Sequence, residues 1–351
     1  MEKSDIKYSL GRVLIPTNDR GFVSDLADAY SRAGYEVTVG LDNFFLDVAS
    51  FDVIHIQWPE EFSDWKVPDS KHFERIKTSL KRWAQNSKIL ITAHNLYPHG
   101  YEKNTVFRDL YSCFFSNASI ISYFSESAKM LVNKEYPETI KKPNIVHGLF
   151  NYDRLLSHPV DVRKARISLG LDRSEFVVLV FGRLRSWDEV SLLRKAFSRC
   201  PVRKKRLLMA GRYFQDGPIW RQRVRKIIWT IWLKTHRAVI VNGYVPDDEV
   251  HRYLEACDVV VVPRINDLTT GIVPLGMTFG KTVVAPGHES SFIDYLGGTN
   301  NPLYKSGNPE SLSAALVKAF EADRDKIGSD NRKIAEQWSW DQIIKSISLS
   351  D

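Results

Sequence analysis

Short apolar runs bounded by turn residues recur along this chain at the spacing of β-α-β units, and they do so twice over. In the first half the runs are Arg12–Pro16, Glu36–Gly40, Val53–Gln57, Lys88–Thr92 and Ala118–Tyr123, with helical periodicity over Phe22–Ala33 and His72–Asn86. In the second half they are Phe176–Phe181, Arg206–Ala210, Ala238–Val241, Val259–Val262 and Thr282–Ala285, with helical stretches at Val190–Arg199, Asp247–Ala256 and Gly271–Phe279. Strands alternating with helices predict an α/β fold of parallel sheets with helices on both faces. The uninterrupted apolar run Phe176–Phe181 suits a central strand covered on both sides. Closing helices are expected over Pro309–Ala322 and Asp330–Ser346.

The polar segment from Pro143 to about Glu175, with a short helical stretch at Val162–Gly170, has the character of an interdomain linker. The length of 351 residues fits two domains of this kind. The expected division is an N-terminal domain over 1–155, a C-terminal domain over 156–330, and a terminal helix over 331–351 returning toward the first.

Charge narrows the partners. Lys plus Arg total 49 against 42 for Asp plus Glu, a formal net charge of +7. That modest excess suits nucleoside diphosphates, lipid phosphates or an anionic membrane surface. No single basic tract with interleaved aromatics dominates, so nucleic acid is not expected. The three cysteines, Cys113, Cys200 and Cys257, stand at wide and unrelated spacings, which argues against a disulfide framework or a zinc site and for a reducing compartment. The segment Met1–Lys7 lacks the apolar core of a secretory signal, and no apolar run reaches membrane-spanning length. A cytoplasmic location, at the inner membrane face, is expected.

Ligands of open α/β sheets bind beyond the strand carboxyl ends, so the segments that follow the strands carry the candidate chemistry. Thr17–Phe22 places Gly21 just before a helix, where free N–H groups can meet an anion or a sugar oxygen; an ordinary strand-to-helix turn is the plain alternative. His55–Glu60 and Thr92–Gly100 follow apolar strands. His94 could donate to a phosphate or sugar hydroxyl or accept an acceptor proton, and Glu60 is a candidate base; a loop-packing histidine and a solvated glutamate are the alternatives. In Val180–Trp187 a glycine followed by Arg183 and Arg185 suits a diphosphate, whose charge grows as it leaves. In Val262–Lys281, Asp267, Thr269, Thr270 and Gly271 stand where a loop turns into a nearly uncharged helix, with threonine as the helix cap. A last feature, Arg221–Arg237, mixes cations with Ile227, Ile228, Trp229, Ile231, Trp232 and Leu233. It suits a helix lying on an anionic membrane, or one packed on the sheet with a solvated basic face.

These residues resemble the GT-B glycosyltransferases, in particular the mannosyl- and glucosyltransferases of bacterial polysaccharide and glycolipid assembly (glycosyltransferase family 4-like). The resemblance lies in Ala165–Leu171 with Val177–Arg183, Leu207–Arg212, Gly243–Glu249, Ala256–Pro263, Thr269–Pro286, Trp338–Trp340, and Ala93–His99 in the first half. It implies two Rossmann-like domains whose parallel sheets face a central cleft. It also implies transfer of a hexose from a GDP- or UDP-sugar to a glycan or lipid-linked acceptor, with no separate cofactor and no catalytic metal. Donor binding would then involve Gly21, Arg183, Arg185, Arg212, Val245, Asp267, Thr269, Thr270 and Gly271, with His94, Glu60 and Asp19 as candidates for catalysis. Two departures stand out. Where many relatives carry a pair of glutamates around the donor helix, this chain has Asp267 and Leu275. Where they carry a lysine after the phosphate-loop arginine, it has Trp187-Asp188-Glu189. The departures keep a second class open, a non-catalytic nucleotide-sugar-binding homologue acting as a partner subunit. An epimerase or a phosphorylase on the same fold is a third, although no convincing cofactor lysine supports the phosphorylase.

Overall fold

The computed structural model of the chain describes residues 10–46, 50–98, 100–101, 104–157, 160–212, 219–265, 269–288 and 292–348. Contacts divide it into two compact units, one formed by 1–148 with 338–351 and the other by 149–337.

The first unit is built on six parallel strands: β1 (Arg12–Ile15), β2 (Glu36–Val39), β3 (Val53–Ile56), β4 (Lys88–Thr92), β5 (Ile120–Tyr123) and β6 (Asn144–Val146). Their order is β2-β1-β3-β4-β5-β6. The chain thus starts beside β2 and reverses direction between β1 and β3, and the crevice of such a sheet opens at the carboxyl ends flanking that reversal. Helices Arg20–Arg32, Ser70–Asn86 and Thr105–Asn117 bury Leu26, Ile76, Leu80, Leu110 and Phe114 against the sheet. Side-chain oxygens start two of them: Asp69 accepts from the His72 amide and Asn104 from that of Phe107. The last helix, Trp340–Ser348, packs on Arg20–Arg32 with Trp340, Ile343 and Ile344 buried, and Asp341 pairs with Arg32 at 2.8 Å.

The second unit has β7 (Phe176–Phe181), β8 (Lys205–Gly211), β9 (Val239–Asn242), β10 (Val259–Val261), β11 (Thr282–His288) and β12 (Leu303–Lys305), in the order β12-β11-β10-β7-β8-β9, all parallel. Here the reversal lies between β7 and β10. The central strands are apolar on both faces, and Val178, Val180, Leu207, Val259 and Val261 join Leu193, Phe197, Trp229, Trp232 and Leu316 of the covering helices in one core.

The structure changes three readings of the sequence. The expected linker holds β6, and the segment from Leu149 onward already belongs to the second unit. Asn151 Nδ2 donates to the Ala335 carbonyl, the Tyr152 amide to Thr278 Oγ1, and Arg332 pairs with Asp153 at 2.6 Å. The helix expected over Asp330–Ser346 is two helices, Arg324–Glu336 and Trp340–Ser348, and the two units divide between them at 337/338. Strands β6 and β12 escape sequence reading because they are short and lie at sheet edges, with a polar residue at one end (Asn144, Lys305).

Candidate functional site

In the second unit the segments that follow the strands at the β7/β10 reversal are 182–186 after β7 and 262–265 after β10. Three glycines mark the carboxyl edge beside them: Gly182, Gly211 and Gly243, at φ +80°, +149° and +144°. A side chain at Gly211 would collide with the Gly182 carbonyl, so the ends of β7 and β8 approach closer than any other residue permits. The Gly182 amide donates to the Ala210 carbonyl, and the Leu184 amide to that of Arg212. Gly182 also lies against the start of helix Ile272–Thr278, since a Cβ on it would stand 3.8 Å from Ile272 Cδ1. Gly271 has Tyr152 Oη over it, where a Cβ would come within 2.5 Å.

A buried ion pair shapes the 182–186 loop. Arg264 Nη1 meets Glu189 Oε2 at 2.8 Å, with the two side chains 4% and 6% exposed. The same Glu189 oxygen accepts from the Arg185 amide at 2.7 Å, and Arg264 Nη2 donates to the Arg183 carbonyl at 3.0 Å. Both arginines of the loop are therefore held through their backbones, with Arg183 exposed and Arg185 half-buried. Tyr304, fully buried, donates to the Val262 carbonyl at 2.8 Å and fixes the segment that carries Arg264. Helix Trp187–Arg199 is capped by Ser186, whose hydroxyl accepts from the Glu189 amide.

In the first unit the β1/β3 reversal is pinned by a carboxylate. Glu61, in the 3-10 turn Pro59–Ser63 after β3, accepts from Thr17 Oγ1 and from the Asn18 amide, both at 2.6 Å. Thr17 Oγ1 accepts in turn from the Asp19 amide at 3.1 Å, leaving the Asp19 side chain exposed. Glu60 points the other way. It is fully buried, takes a hydrogen bond of 2.6 Å from Tyr111 Oη, and burial raises its carboxyl to about 6.

Three histidines line the strand ends. His55 bridges Tyr30 Oη at 3.0 Å and Thr92 Oγ1 at 2.8 Å, and His147 lies 2.6 Å from Ser122 Oγ. His94 Nε2 lies 2.8 Å from Gln57 Oε1, and its ring sits 5.0 Å from both Trp58 and Phe124. Loss of water, and to a smaller degree the neighbouring imidazoles, lowers His55 and His94 to about 3; burial lowers His147 to about 4. All three are neutral at physiological pH. Gln57, 2% exposed, keeps its Nε2 buried without a hydrogen-bond partner among the described residues.

Residues 175–322 match the family model described as Glycosyl transferases group 1. The chain is also similar to solved structures along nearly its whole length. Sucrose-phosphate synthase from Thermosynechococcus elongatus aligns with TM-score 0.75 at 15% identity, over 96% of this chain and 97% of that one. HepE from Anabaena, in complex with UDP and glucose, aligns with TM-score 0.67 at 16% identity, over 97% and 100%. The catalytic domain of starch synthase IV from Arabidopsis thaliana, bound to ADP and acarbose, gives 0.69 at 13% identity, over 98% and 99%. No curated protein matches the chain in sequence.

The fold is GT-B.

Within the GT-B chain, the structure brings Arg183, Arg185, Thr270 and Gly271 to one carboxyl edge of the second unit. Thr270 is buried and its hydroxyl accepts from the Ile272 amide at 3.4 Å, while the cap position itself falls on Gly271 rather than on a threonine. Thr269 is half-buried, Arg212 exposed and Val245 buried. Asp267 lies outside the described residues, and Leu275 is buried in the helix. In the first unit Gly21 sits in the first turn of its helix and Asp19 precedes it. Glu60 differs from the solvated glutamate of the sequence reading: it is fully buried and accepts from Tyr111 Oη at 2.6 Å. His94 is retained as a neutral hydrogen-bonding group; a buried imidazole at about 3 is a weak proton acceptor. Sequence reading missed Glu61, Glu189 and Arg264. A clue to Glu61 stood in Thr17–Phe22 and Pro59–Ser63, two loops at one sheet reversal, but nothing local pairs them.

Proposed function

We propose that the protein is a glycosyltransferase moving a hexose from a GDP- or UDP-sugar to a glycan or lipid-linked acceptor. In the transfer, the bond from the anomeric carbon to the diphosphate breaks and a bond from that carbon to the acceptor oxygen forms, so negative charge grows on the departing diphosphate. Arg183 and Arg185 supply the counter-charge without a metal ion, from a loop whose backbone is set beforehand and need not reorganise as the charge develops. The observation that carries the proposal is this fixed cationic loop at the second unit's sheet reversal, within the stretch matching a glycosyltransferase family. Asp19, exposed on the pinned turn of the first unit, is the candidate base for the acceptor proton.

A second reading, a non-catalytic nucleotide-sugar-binding homologue, draws support from the inward-turned Glu60 and from Leu275 in the core. A thermal-shift panel of GDP, UDP, ADP, CMP and dTDP on the purified protein and on Arg183→Ala tests donor binding. A nucleotide at 100 times its dissociation constant adds about 2.7 kcal/mol. A shift with one nucleotide, lost in the variant, supports the site; no shift with any overturns it. Sugar transfer or donor hydrolysis that persists in chelator separates the enzyme from the non-catalytic homologue.

A further inference from the structure

Helix Ile219–Thr235 is apolar on two opposite faces. Trp229, Trp232 and Leu233 point into the core of the second unit, where the two indoles stack 5.0 Å apart. Burial of that face is explained by the fold. The opposite face is not. Trp220, Val224, Ile227 and Ile231 recur at intervals of four, three and four residues, which sets them in one stripe along the helix. They are 63%, 50%, 59% and 58% exposed. The helix therefore lacks the solvated polar outer face that an ordinary sheet-covering helix presents.

The charges around the stripe identify what covers it. Arg221, Arg223, Lys226 and Lys234 are exposed on the same helix, and no Asp or Glu stands between Gly217 and Pro246. Beyond its carboxyl end lies an open basin in which Arg203, Lys204, Lys205, Arg206 and Arg237 outnumber Asp172 and Glu175. A second copy of the chain would bring like charge to like charge along the whole helix, which disfavours pairing through this face. An anionic bilayer meets both features: the stripe enters the acyl boundary and the flanking cations meet lipid phosphates. No helix among the described residues is long and apolar enough to cross a membrane, so the contact lies in the plane of the surface.

We propose that the outer face of helix 219–235 docks the protein on an anionic lipid surface. The contact does not depend on the donor site and stands or falls without it. The test is sedimentation of the full chain with phosphatidylcholine vesicles, with and without phosphatidylglycerol. The expected result is binding that needs phosphatidylglycerol, weakens with salt, and falls at least about tenfold in Ile227→Ser/Ile231→Ser. Both substituted side chains are exposed, so the variant should keep the wild-type thermal transition and nucleotide response. A second variant, Arg221→Gln/Arg223→Gln/Lys226→Gln, should lose most of the salt-sensitive part while leaving the fold intact. Undiminished binding of the serine variant, or no binding of the wild type to anionic vesicles, overturns the proposal. So does a wild-type dimer in sedimentation velocity that Ile227→Ser/Ile231→Ser disperses, because a second copy would then own the face.

Discussion

Arg264→Met should unsettle both the stability of the second unit and its grip on nucleotide. The substitution keeps an unbranched side chain of similar length but removes the guanidinium that faces Glu189 at 2.8 Å. With its partner gone, the Glu189 carboxylate stays in a place where only 6% of its side chain meets water. Breaking a buried pair from one side costs about 3–5 kcal/mol, mostly the penalty of the stranded charge. For a unit of this size about 1 kcal/mol moves a melting midpoint by roughly 2–4 °C, so a fall of about 6–20 °C is expected. The double variant Arg264→Met/Glu189→Gln should recover most of that loss. The glutamine carbonyl can still accept from the Arg185 amide, and the remaining deficit is the hydrogen bond from Arg264 to the Arg183 carbonyl, worth about 1 kcal/mol. Differential scanning calorimetry is the assay, because two units need not unfold together. Nucleotide titration on the same samples reports whether Arg183 and Arg185 still present a formed loop. A single variant that melts within about 3 °C of wild type would refute the reasoning. So would a double variant whose loss equals the sum of the two singles, since the coupling between the charges would then be absent.

Two further predictions concern the buried ionisable groups of the first unit. Glu60 has its folded-state carboxyl raised to about 6 from 4.5, so its contribution is fully present below about 4.5 and lost as pH rises through 6. The resulting penalty near pH 7.5 is about 2 kcal/mol. Glu60→Gln keeps an acceptor for Tyr111 and should raise the melting temperature at pH 7.5 while changing it little at pH 4.5. It should also preserve turnover to within about tenfold, where loss of a general base costs 100-fold or more. Destabilisation at both pH values, or a collapse of turnover, would count against a purely positioning carboxylate. The histidines act in the opposite sense. His55 and His94, lowered to about 3, and His147, lowered to about 4, stay neutral in the fold while the unfolded chain takes up protons below about 6.5. Stability should therefore fall on acidification from pH 6.5, by up to about 1.4 kcal/mol per pH unit for each histidine. His94→Gln should flatten the melting temperature against pH between 7 and 5, and an unchanged slope would refute its burial as a neutral ring.

The alternation of apolar runs and helices was enough to read parallel sheets and a second repeat of the pattern, because a strand covered on both faces leaves a mark in each of its residues. Phe176–Phe181 is the clear case: it is the central β7, with Val177, Val178, Leu179 and Val180 all buried. Strand order was less accessible. The β7/β10 reversal depends on which of several similar strands pairs with β7, and Val259–Val261 looks no more suited to it than Val239–Asn242 does. The sequence reading put the first boundary at 155/156, and contacts put it at 148/149. The segment 149–153 buries Leu149 and Phe150, and Asn151, the Tyr152 amide and Asp153 bond to Ala335, Thr278 and Arg332, far along the chain.

The candidate site shows the same limit at the level of single residues. The sequence shows directly that Arg183 and Arg185 follow a buried strand and a glycine, and in the structure the first is exposed and the second half-buried. Their supports were not legible. Glu189 reads in sequence as a helix-start acid, and in that role it is unremarkable. What makes it matter is Arg264, 75 positions away, whose partner is named by no local pattern. Glu60 and Glu61 make the point within one dipeptide. They are adjacent and chemically alike, and one turns inward to Tyr111 while the other turns to Thr17 and Asn18. The direction is set by the 3-10 turn over Pro59–Ser63, in which neighbouring side chains diverge by roughly a third of a turn. A reading by residue type could find that a carboxylate serves this strand end. Which of the two serves it depends on backbone geometry that sequence spacing does not encode.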